Sequence, residues 1–363
     1  MTDLLEKIKR DPYNYIRDYY EKIYKYMGRE VFSTLSLVIP SLILPPIPHE
    51  QAREIKPSIN FLLITPPGNA KSSLTETFSK LAYNSFPFES ITDAKFYEVI
   101  SQKDFVSVVV GDVFKIFSDK LLSKTMENVL GDEQKISRMT KRTDSKEKKI
   151  RAVAFLAGTP ESLTSVISEG LLFRMNVLLL FHSPEEHEEI GDFIGNGSFN
   201  PYNGNKEEES IEDFYRELLD IQLDRHSDIE KVTGYIVKPE YKQRILNAWK
   251  PLVKPMTKKT NFSFFRELHS GLRFMVAHAF LNVFNRKIEN GKIVIEEEDV
   301  KVAIGLMTKE LSTKFEILSC SKIVNEEKMK TTKDLYEYVD KLKRNQIPLK
   351  DSSKNIMGSI LGR

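Results

Sequence analysis

The chain has 363 residues, of which 40% are hydrophobic and 29% charged, a balance typical of a globular protein with a full core. Its formal net charge is only +2, so nucleic-acid binding would need a local basic patch. The single cysteine, Cys320, excludes an intramolecular disulfide framework and a cysteine-based zinc cluster. The charged N-terminus lacks a signal-peptide core, and the apolar stretch at 38–48 is too short to cross a bilayer. We therefore expect a soluble, cytoplasmic protein without a membrane partner.

The first half of the chain alternates predicted helices and strands. Tyr and Leu at spacings of three and four predict helical structure over residues 3–35, and the prolines of residues 39–50 predict a loop. Short apolar runs predict β-strands at 58–65, 87–92, 105–114, 151–160 and 176–183. Helices are predicted between them at 72–84, 94–102, 118–130 and 161–168. Strands alternating with helices predict an α/β fold with a parallel sheet.

The pattern changes after this core. Gly, Asn and Ser over 194–210 predict a loop or linker, and residues 211–318 have an almost entirely helical pattern. The charged last 45 residues contain one further predicted helix, at 332–345. We expect four regions, which are an N-terminal helical segment (1–57), an α/β core (58–200), an α-helical region (206–318) and a charged tail (319–363).

The stretch FLLITPPGNAKSSLTETFSKLA, residues 61–82, runs from a predicted strand through a loop into a predicted helix. It is close to the phosphate-binding pattern G-x-x-x-x-G-K-[ST], with Thr65 and Ala70 in place of the two glycines. Small residues let backbone N–H groups approach phosphates, and a helix N-terminus attracts anions. The predicted nucleotide contacts are Pro67, Gly68, Asn69, Ala70, Lys71, Ser72 and Ser73, with Ser72 also holding Mg²⁺. The alternative is an ordinary strand–turn–helix that carries Lys-Ser.

A magnesium site also needs a carboxylate. We expect it at the end of the strand beside the loop strand, where it would orient the metal and polarise the attacking water. The run VSVVVGDVFKIF offers one acid there, Asp112, 41 residues after Lys71. The alternative is an aspartate that ends the strand and caps the next turn.

Residues 135–151 hold eight Lys or Arg against two acidic residues. Their strand-like flanks predict a hairpin with a cationic tip, and such a tip suits phosphate backbones. The predicted DNA contacts are Lys141, Arg142, Lys146, Lys148 and Lys149. A solvated surface loop is the alternative.

The Pro-Gly-x-Ala-Lys-Ser string resembles the Walker A loop of the minichromosome maintenance (MCM) replicative helicases, a branch of the AAA+ ATPases. Segments similar to that family follow in order over roughly residues 25–315, namely TMENVLGDEQKISRMTKR with KIRAVAFLAGTP, GLLFRMNVLLLF and FFRELHSGLRFMVAHAF. The resemblance implies a P-loop AAA+ core followed by an α-helical lid, ATP and Mg²⁺ as cofactors, and a hexameric ring on DNA. It makes Thr159 the sensor 1 residue, Arg174 the arginine finger given to a neighbouring subunit, and Arg266 the sensor 2 residue, with Arg273 as its competitor. A counterpart of the family's N-terminal DNA-binding domain is not expected.

Two positions depart from the family pattern. Its Asp-Glu pair is replaced by Gly111-Asp112 or Asp112-Val113, and Lys115 favours the first alignment, which puts Asp112 in the place of the catalytic glutamate. Thr159 stands where the family carries Asn. The expected function is ATP-driven movement along DNA as an MCM-like helicase. The alternatives are an ATP-binding initiator or loader with weak hydrolysis, and a non-catalytic scaffold with a degenerate nucleotide fold.

Overall fold

The computed structural model describes residues 2–24, 29–48, 54–68, 71–117, 119–131, 134–140, 143–160, 171–180, 206–260 and 264–327, together with residues 162, 182, 186, 188, 189 and 192. Within these ranges, none of the helices combines the length and the apolarity that crossing a membrane requires. The predicted helices at 161–168 and 332–345 lie outside the described residues, apart from residue 162.

The described residues near the N-terminus form three helices, which confirms the helical pattern predicted over residues 3–35: α1 (Thr2–Arg10), α2 (Pro12–Ile23) and α3 (Arg29–Ser41). The loop predicted from residue 39 was wrong at its start, because α3 continues through Pro40. Pro40 has no N–H to donate to the carbonyl of Ser36 one turn earlier. The Tyr215 hydroxyl donates to that carbonyl instead, at 3.3 Å, so the helix continues without a buried unpaired acceptor.

A five-stranded parallel sheet forms the centre of the first half, as predicted. Its strands are β1 (Phe61–Ile64), β2 (Ser85–Phe88), β3 (Phe105–Val110), β6 (Arg151–Gly158) and β7 (Asn176–Leu179), in the order β2-β3-β6-β1-β7. The intervening helices are α4 (Lys71–Leu81), α5 (Asp93–Ser101), the short α6 (Val113–Phe117) and α7 (Lys120–Leu130). All four residues of β1 are buried, as are seven of the eight in β6, which fits strands covered on both faces.

One prediction about this sheet was wrong. The strand beside the loop strand β1 is β6 on one side and β7 on the other, and β3, which precedes Asp112, is one strand further away. Sequence order does not give spatial order here, because the chain crosses from β1 to the sheet edge and returns through β2 and β3.

The cationic segment forms the predicted hairpin. Strand β4 (Lys135–Thr140) pairs antiparallel with β5 (Thr143–Lys149), with an irregularity between Arg138 and Thr140. The buried Gln134 anchors its base, since its side-chain amide donates to Ser58 Oγ and to the Ala152 carbonyl, both at 2.8 Å. The hairpin therefore leaves the sheet at the amino end of β6.

The described residues of the second half form four long helices: α8 (Lys206–Gln222), α9 (Pro239–Thr260), α10 (Phe265–Leu281) and α11 (Glu297–Glu327). The linker predicted to reach residue 210 was wrong from residue 206, where α8 begins. The almost entirely helical pattern predicted for residues 211–318 missed a small sheet of β8 (Gly234–Ile236), β9 (Ile288–Glu289) and β10 (Lys292–Val294). These strands have two or three residues, too few for a period-two pattern to be recognised.

The N-terminal helices pack against this second half. The ring of Tyr13 in α2 meets the imidazole of His278 in α10 edge-on, with centroids 4.7 Å apart. Lys9 in α1 pairs with Glu217 in α8 at 2.8 Å. One hydrophobic core, running in sequence from Ile8 to Leu318, joins these helices to the parallel sheet.

Candidate functional site

The loop that leaves β1 contains a glycine in the left-handed region of backbone conformation. Gly68 has φ +86°, in the region that favours glycine, and no atom lies within 4 Å of the place where a Cβ would stand. Pro67 and Gly68 are exposed. Asn69 and Ala70 lie outside the described residues, and the chain is described again from Lys71, where α4 begins.

Lys71 folds back over this loop. Its Nζ donates to the carbonyl oxygens of Thr65 and Pro66, each at 3.0 Å. The ammonium group therefore lies beside the loop that would surround an anion, and a phosphate oxygen could replace either carbonyl as its acceptor. Ser72 is exposed in the first turn of α4, where its hydroxyl could reach a metal. The Ser73 carbonyl accepts the Tyr24 hydroxyl at 3.2 Å, which ties the start of α4 to α2.

The N-terminus of α4 carries no negative charge of its own. Its first turn contains no acidic residue, whereas the first turns of α8 and α11 contain three each. Acidic side chains in the first turn stabilise a helix by offsetting its dipole and its unpaired N–H groups. Helix α4 lacks this compensation, so its N-terminus is suited to an anion from outside the chain.

The sheet topology places this loop at a switch point. After β1 the chain goes to β2 at one edge of the sheet, whereas after β6 it passes β1 to reach β7 at the other edge. The chain therefore leaves the neighbouring carboxyl ends of β1 and β6 in opposite directions. In open α/β sheets, ligands bind in the crevice outside the carboxyl ends at such a point.

Thr159 lies directly across this crevice from the loop. The Thr65 N–H donates to the Gly158 carbonyl at 3.0 Å, so the residues after β1 and after β6 are at the same level. Thr159 is half-buried, and its carbonyl accepts the Ser162 N–H at 2.9 Å. Thr159 therefore lies at the carboxyl ends of the strands, beside the residue at which the Lys71 loop begins.

Gly158 allows α6 to approach the same crevice. A Cβ at Gly158 would lie 2.6 Å from Val113 Cγ2 and 3.2 Å from Ile64 Cδ1, both closer than ordinary van der Waals contact. Asp112 comes just after β3 and therefore lies at the carboxyl ends of the strands, two strands away from β1, while its neighbour Val113 packs on Gly158 at the end of β6.

Asp112 makes the contact expected of an aspartate that ends a strand and caps the next turn. Its Oδ1 accepts the Phe114 N–H at 3.1 Å, at the start of α6. A capping role leaves the second oxygen for another ligand. Mg²⁺ at phosphate sites is bound by one or two carboxylates together with the phosphates. Asp112 and Ser72 fit that donor set. Among the described residues, no group of three or more His, Cys, Asp or Glu is placed so that it could hold a metal ion.

Arg174 lies at the amino ends of the strands, whereas the Lys71 loop lies at their carboxyl ends. It ends a 3-10 helix (Leu171–Arg174) just before β7, and its carbonyl accepts the side-chain amide of Asn60 at 3.2 Å, just before β1. Five residues separate Asn60 from Thr65, which at ~3.3 Å per residue is ~16 Å along the strand. Arg174 therefore cannot reach the Lys71 loop of its own chain. Its Nη1 lies 2.5 Å from Oε1 of Glu127, a partner that sequence reasoning missed because 47 residues separate the two.

Arg266 lies near the same ends of the strands. The Phe264 ring, two residues earlier, meets the Phe173 ring at 6.4 Å, so the first turn of α10 packs beside the 3-10 helix. The competing residue, Arg273, donates from Nε to the Lys56 carbonyl at 2.8 Å, which ties α10 to the segment before β1. That contact gives Arg273 a structural role, whereas Arg266 is half-buried in the first turn of α10.

The predicted DNA-binding residues are only partly described. Lys141 and Arg142, at the hairpin tip, lie outside the described residues, and the side chain of Lys146 is not described. Lys148 donates to the Ser101 carbonyl at 3.0 Å and pairs with Asp104 at 3.2 Å, so it fastens the hairpin base to the end of α5. Lys149 is exposed.

A surface groove of about 670 Å³ lies elsewhere, at the start of α11. Its lining includes Glu296, Glu297 and Glu298, which would repel phosphate groups. Comparison with protein-family models and with curated proteins gives no match.

Proposed function

We propose that this chain is a P-loop ATPase of the AAA+ type, similar to the MCM helicases, that couples ATP hydrolysis to movement along DNA. The observation that carries the proposal is the loop after β1. Gly68 has positive φ, Lys71 lies over the loop, and the N-terminus of α4 has no acid in its first turn. These features meet at a switch point of the parallel sheet, where a triphosphate with Mg²⁺ is the ligand that suits them best.

The two arginines support a site that is completed between subunits. Arg174 and Arg266 lie near the amino edge of the sheet, whereas the Lys71 loop lies at the carboxyl edge. Each arginine would therefore serve the nucleotide of a neighbouring protomer, as a closed ring such as a hexamer allows. An arginine finger supplied in this way neutralises transition-state charge and contributes ~10³–10⁵ in rate.

The hairpin supports DNA as the partner. It projects from the sheet on two paired strands and carries its charge over a short span. Contacts of this kind neutralise phosphates without reading the bases, so the predicted affinity is sequence-independent and falls steeply with salt.

Asp112 supports a second candidate, an ATP-dependent switch with weak hydrolysis. It is the one carboxylate that the sequence offers at this position, and one of its oxygens already caps α6. If the second oxygen holds Mg²⁺, no carboxylate of this pair remains to polarise the water. Nucleotide binding would then persist while turnover is slow.

ATP turnover with and without single-stranded DNA separates these functions. A motor should show turnover that DNA stimulates and that Lys71→Ala abolishes, whereas a switch should bind Mg-ATP with little turnover. Lys80→Ala is the matched control, because it removes an exposed lysine from the same helix nine residues beyond the loop. Neither binding nor turnover would leave only the non-catalytic scaffold.

Mixing variants tests the shared site. Lys71→Ala damages the nucleotide loop of the protomer that carries it. Arg174→Ala removes the arginine that its own protomer supplies to a neighbour. A mixed ring contains some sites with an intact loop and an intact arginine, so turnover should recover above that of either variant alone. No recovery would contradict completion by a neighbour.

Reversing charge at the hairpin tip tests the DNA contact. The double variant Lys141→Glu/Arg142→Glu should weaken DNA binding at low salt. Lys120→Glu/Lys124→Glu changes net charge equally on the exposed side of α7 and should weaken it less. Equal effects would remove the hairpin from the proposal.

A further inference from the structure

Arg174 and Glu127 form an ion pair at the amino edge of the sheet. Nη1 of Arg174 lies 2.5 Å from Oε1 of Glu127, and the side chains are 22% and 26% exposed. The pair is thus mostly shielded, yet part of each group reaches the surface. A guanidinium has five N–H donors, so Arg174 can pair with Glu127 and contact other acceptors at the same time.

The backbones on both sides of this pair are fixed to each other. The side-chain amide of Asn60 donates to the Leu130 carbonyl at 2.9 Å and to the Arg174 carbonyl at 3.2 Å. Asn60 Oδ1 accepts the Ala154 N–H at 3.1 Å, so the amide is itself held by β6. One buried side chain therefore joins the end of α7, which carries Glu127, to the 3-10 helix that carries Arg174.

This arrangement differs from that of an ordinary surface ion pair. Lys95 and Glu98 on α5 also form a pair, at 3.1 Å, but their side chains are 58% and 57% exposed. Such exposed pairs restrict their partners little. Glu127 instead holds a shielded arginine on a fixed frame, which reduces the number of orientations that the guanidinium can take.

We propose that Glu127 is a positioning residue for Arg174, orienting its guanidinium toward the triphosphate bound by the neighbouring protomer. This inference rests on the proposed function. Because Glu127 acts through Arg174, its loss should lower kcat at saturating ATP and leave KM nearly unchanged. The fall should be about 10–100-fold, as for other groups that orient a functional side chain, and smaller than the fall caused by Arg174→Ala.

The test compares Glu127→Gln with Glu127→Asp, which keeps the charge, and with Glu98→Gln, which breaks the exposed pair on α5. Steady-state turnover gives kcat and KM, and thermal melting shows that each variant is folded. We expect Glu127→Gln to lose kcat, Glu127→Asp to recover part of it, and Glu98→Gln to match the wild type.

Mixing experiments add a readout that a purely structural role would not change. Glu127→Gln has an intact loop, so turnover should recover when it is mixed with Lys71→Ala. It should not recover when Glu127→Gln is mixed with Arg174→Ala, since both defects lie on the same side of the interface.

Three results would overturn the inference. Unchanged or faster turnover in Glu127→Gln would show that Glu127 is dispensable or restrains the arginine. In the second result, turnover of Glu127→Gln instead recovers on mixing with Arg174→Ala and not on mixing with Lys71→Ala. That result would place the role of Glu127 within its own protomer and leave the proposed function intact. Absence of turnover in the wild type would overturn the proposed function and this inference together.

Discussion

Gly158 gives the sharpest test of how the fold assembles the candidate site. Replacing it with alanine adds a Cβ 2.6 Å from Val113 Cγ2 and 3.2 Å from Ile64 Cδ1. Carbon atoms are in favourable contact at ~3.5–4.0 Å, so the overlap with Val113 is about 1 Å. Val113 is fully buried and β-branched, and such side chains have little freedom to turn away.

Overpacking of this size costs about 1–3 kcal/mol of unfolding free energy. With an entropy of unfolding of ~2.1 cal/mol/K per residue over 363 residues, Tm should fall by about 1–4 °C. The strain should also move α6, and with it Asp112, away from Thr159. Turnover of ATP should therefore fall by more than the lost stability explains.

Thermal melting and urea unfolding measure the first effect, and steady-state turnover measures the second. Gly111→Ala is the control, because no atom lies within 4 Å of its Cβ position and its φ is not positive. Its stability should change by less than about 0.5 kcal/mol. If Gly158→Ala is as stable and active as Gly111→Ala, the close approach of α6 to β6 is not what positions Asp112.

The remaining predictions concern buried charge in the second half. Lys314 is 1% exposed and pairs with Glu267 and Glu310. Lys314→Ala would leave two buried carboxylates without their partner, so the free energy of unfolding in urea should fall by about 3–5 kcal/mol. A loss below about 1 kcal/mol would contradict this. Burial raises the pKa of Glu310, so wild-type stability should decline as pH rises from about 4.5 toward 7, and Glu310→Gln should remove that decline in melting curves. Burial alone would raise the pKa of Asp299, but hydrogen bonds from His278 and Arg286 outweigh it and hold this pKa below 3.8. Its stabilisation is therefore present above pH 3.8 and lost as pH falls through the lower folded-state pKa, a loss that Asp299→Asn should not show.

The elements of the first half could be predicted because their signals are local. The apolar runs at β1, β3 and β6 are bounded by turn residues, and each lies within the predicted range. The loop after β1 could be recognised as a candidate phosphate-binding loop because Gly68, Lys71 and Ser72 lie within a few residues of one another. These features depend on neighbours in sequence.

Long-range features could not be read in the same way. Strand β6 lies between β1 and β3 because of the crossover connections. The composition of a strand does not indicate which strands will pair with it. The contact of Tyr215 with Ser36, which carries α3 through Pro40, joins residues 179 apart. A capping aspartate and a metal ligand look alike in sequence, so Asp112 needed the Phe114 contact to show its local role.

Binding of Mg-ATP, measured by isothermal titration calorimetry on wild type and Lys71→Ala, tests the central claim most directly. The account predicts binding heat and a rise in Tm for the wild type, with both lost or at least tenfold weaker in affinity for the variant. No heat and no rise in Tm for the wild type at saturating Mg-ATP would contradict it. Equal binding by both proteins would show that any nucleotide site lies away from the loop after β1.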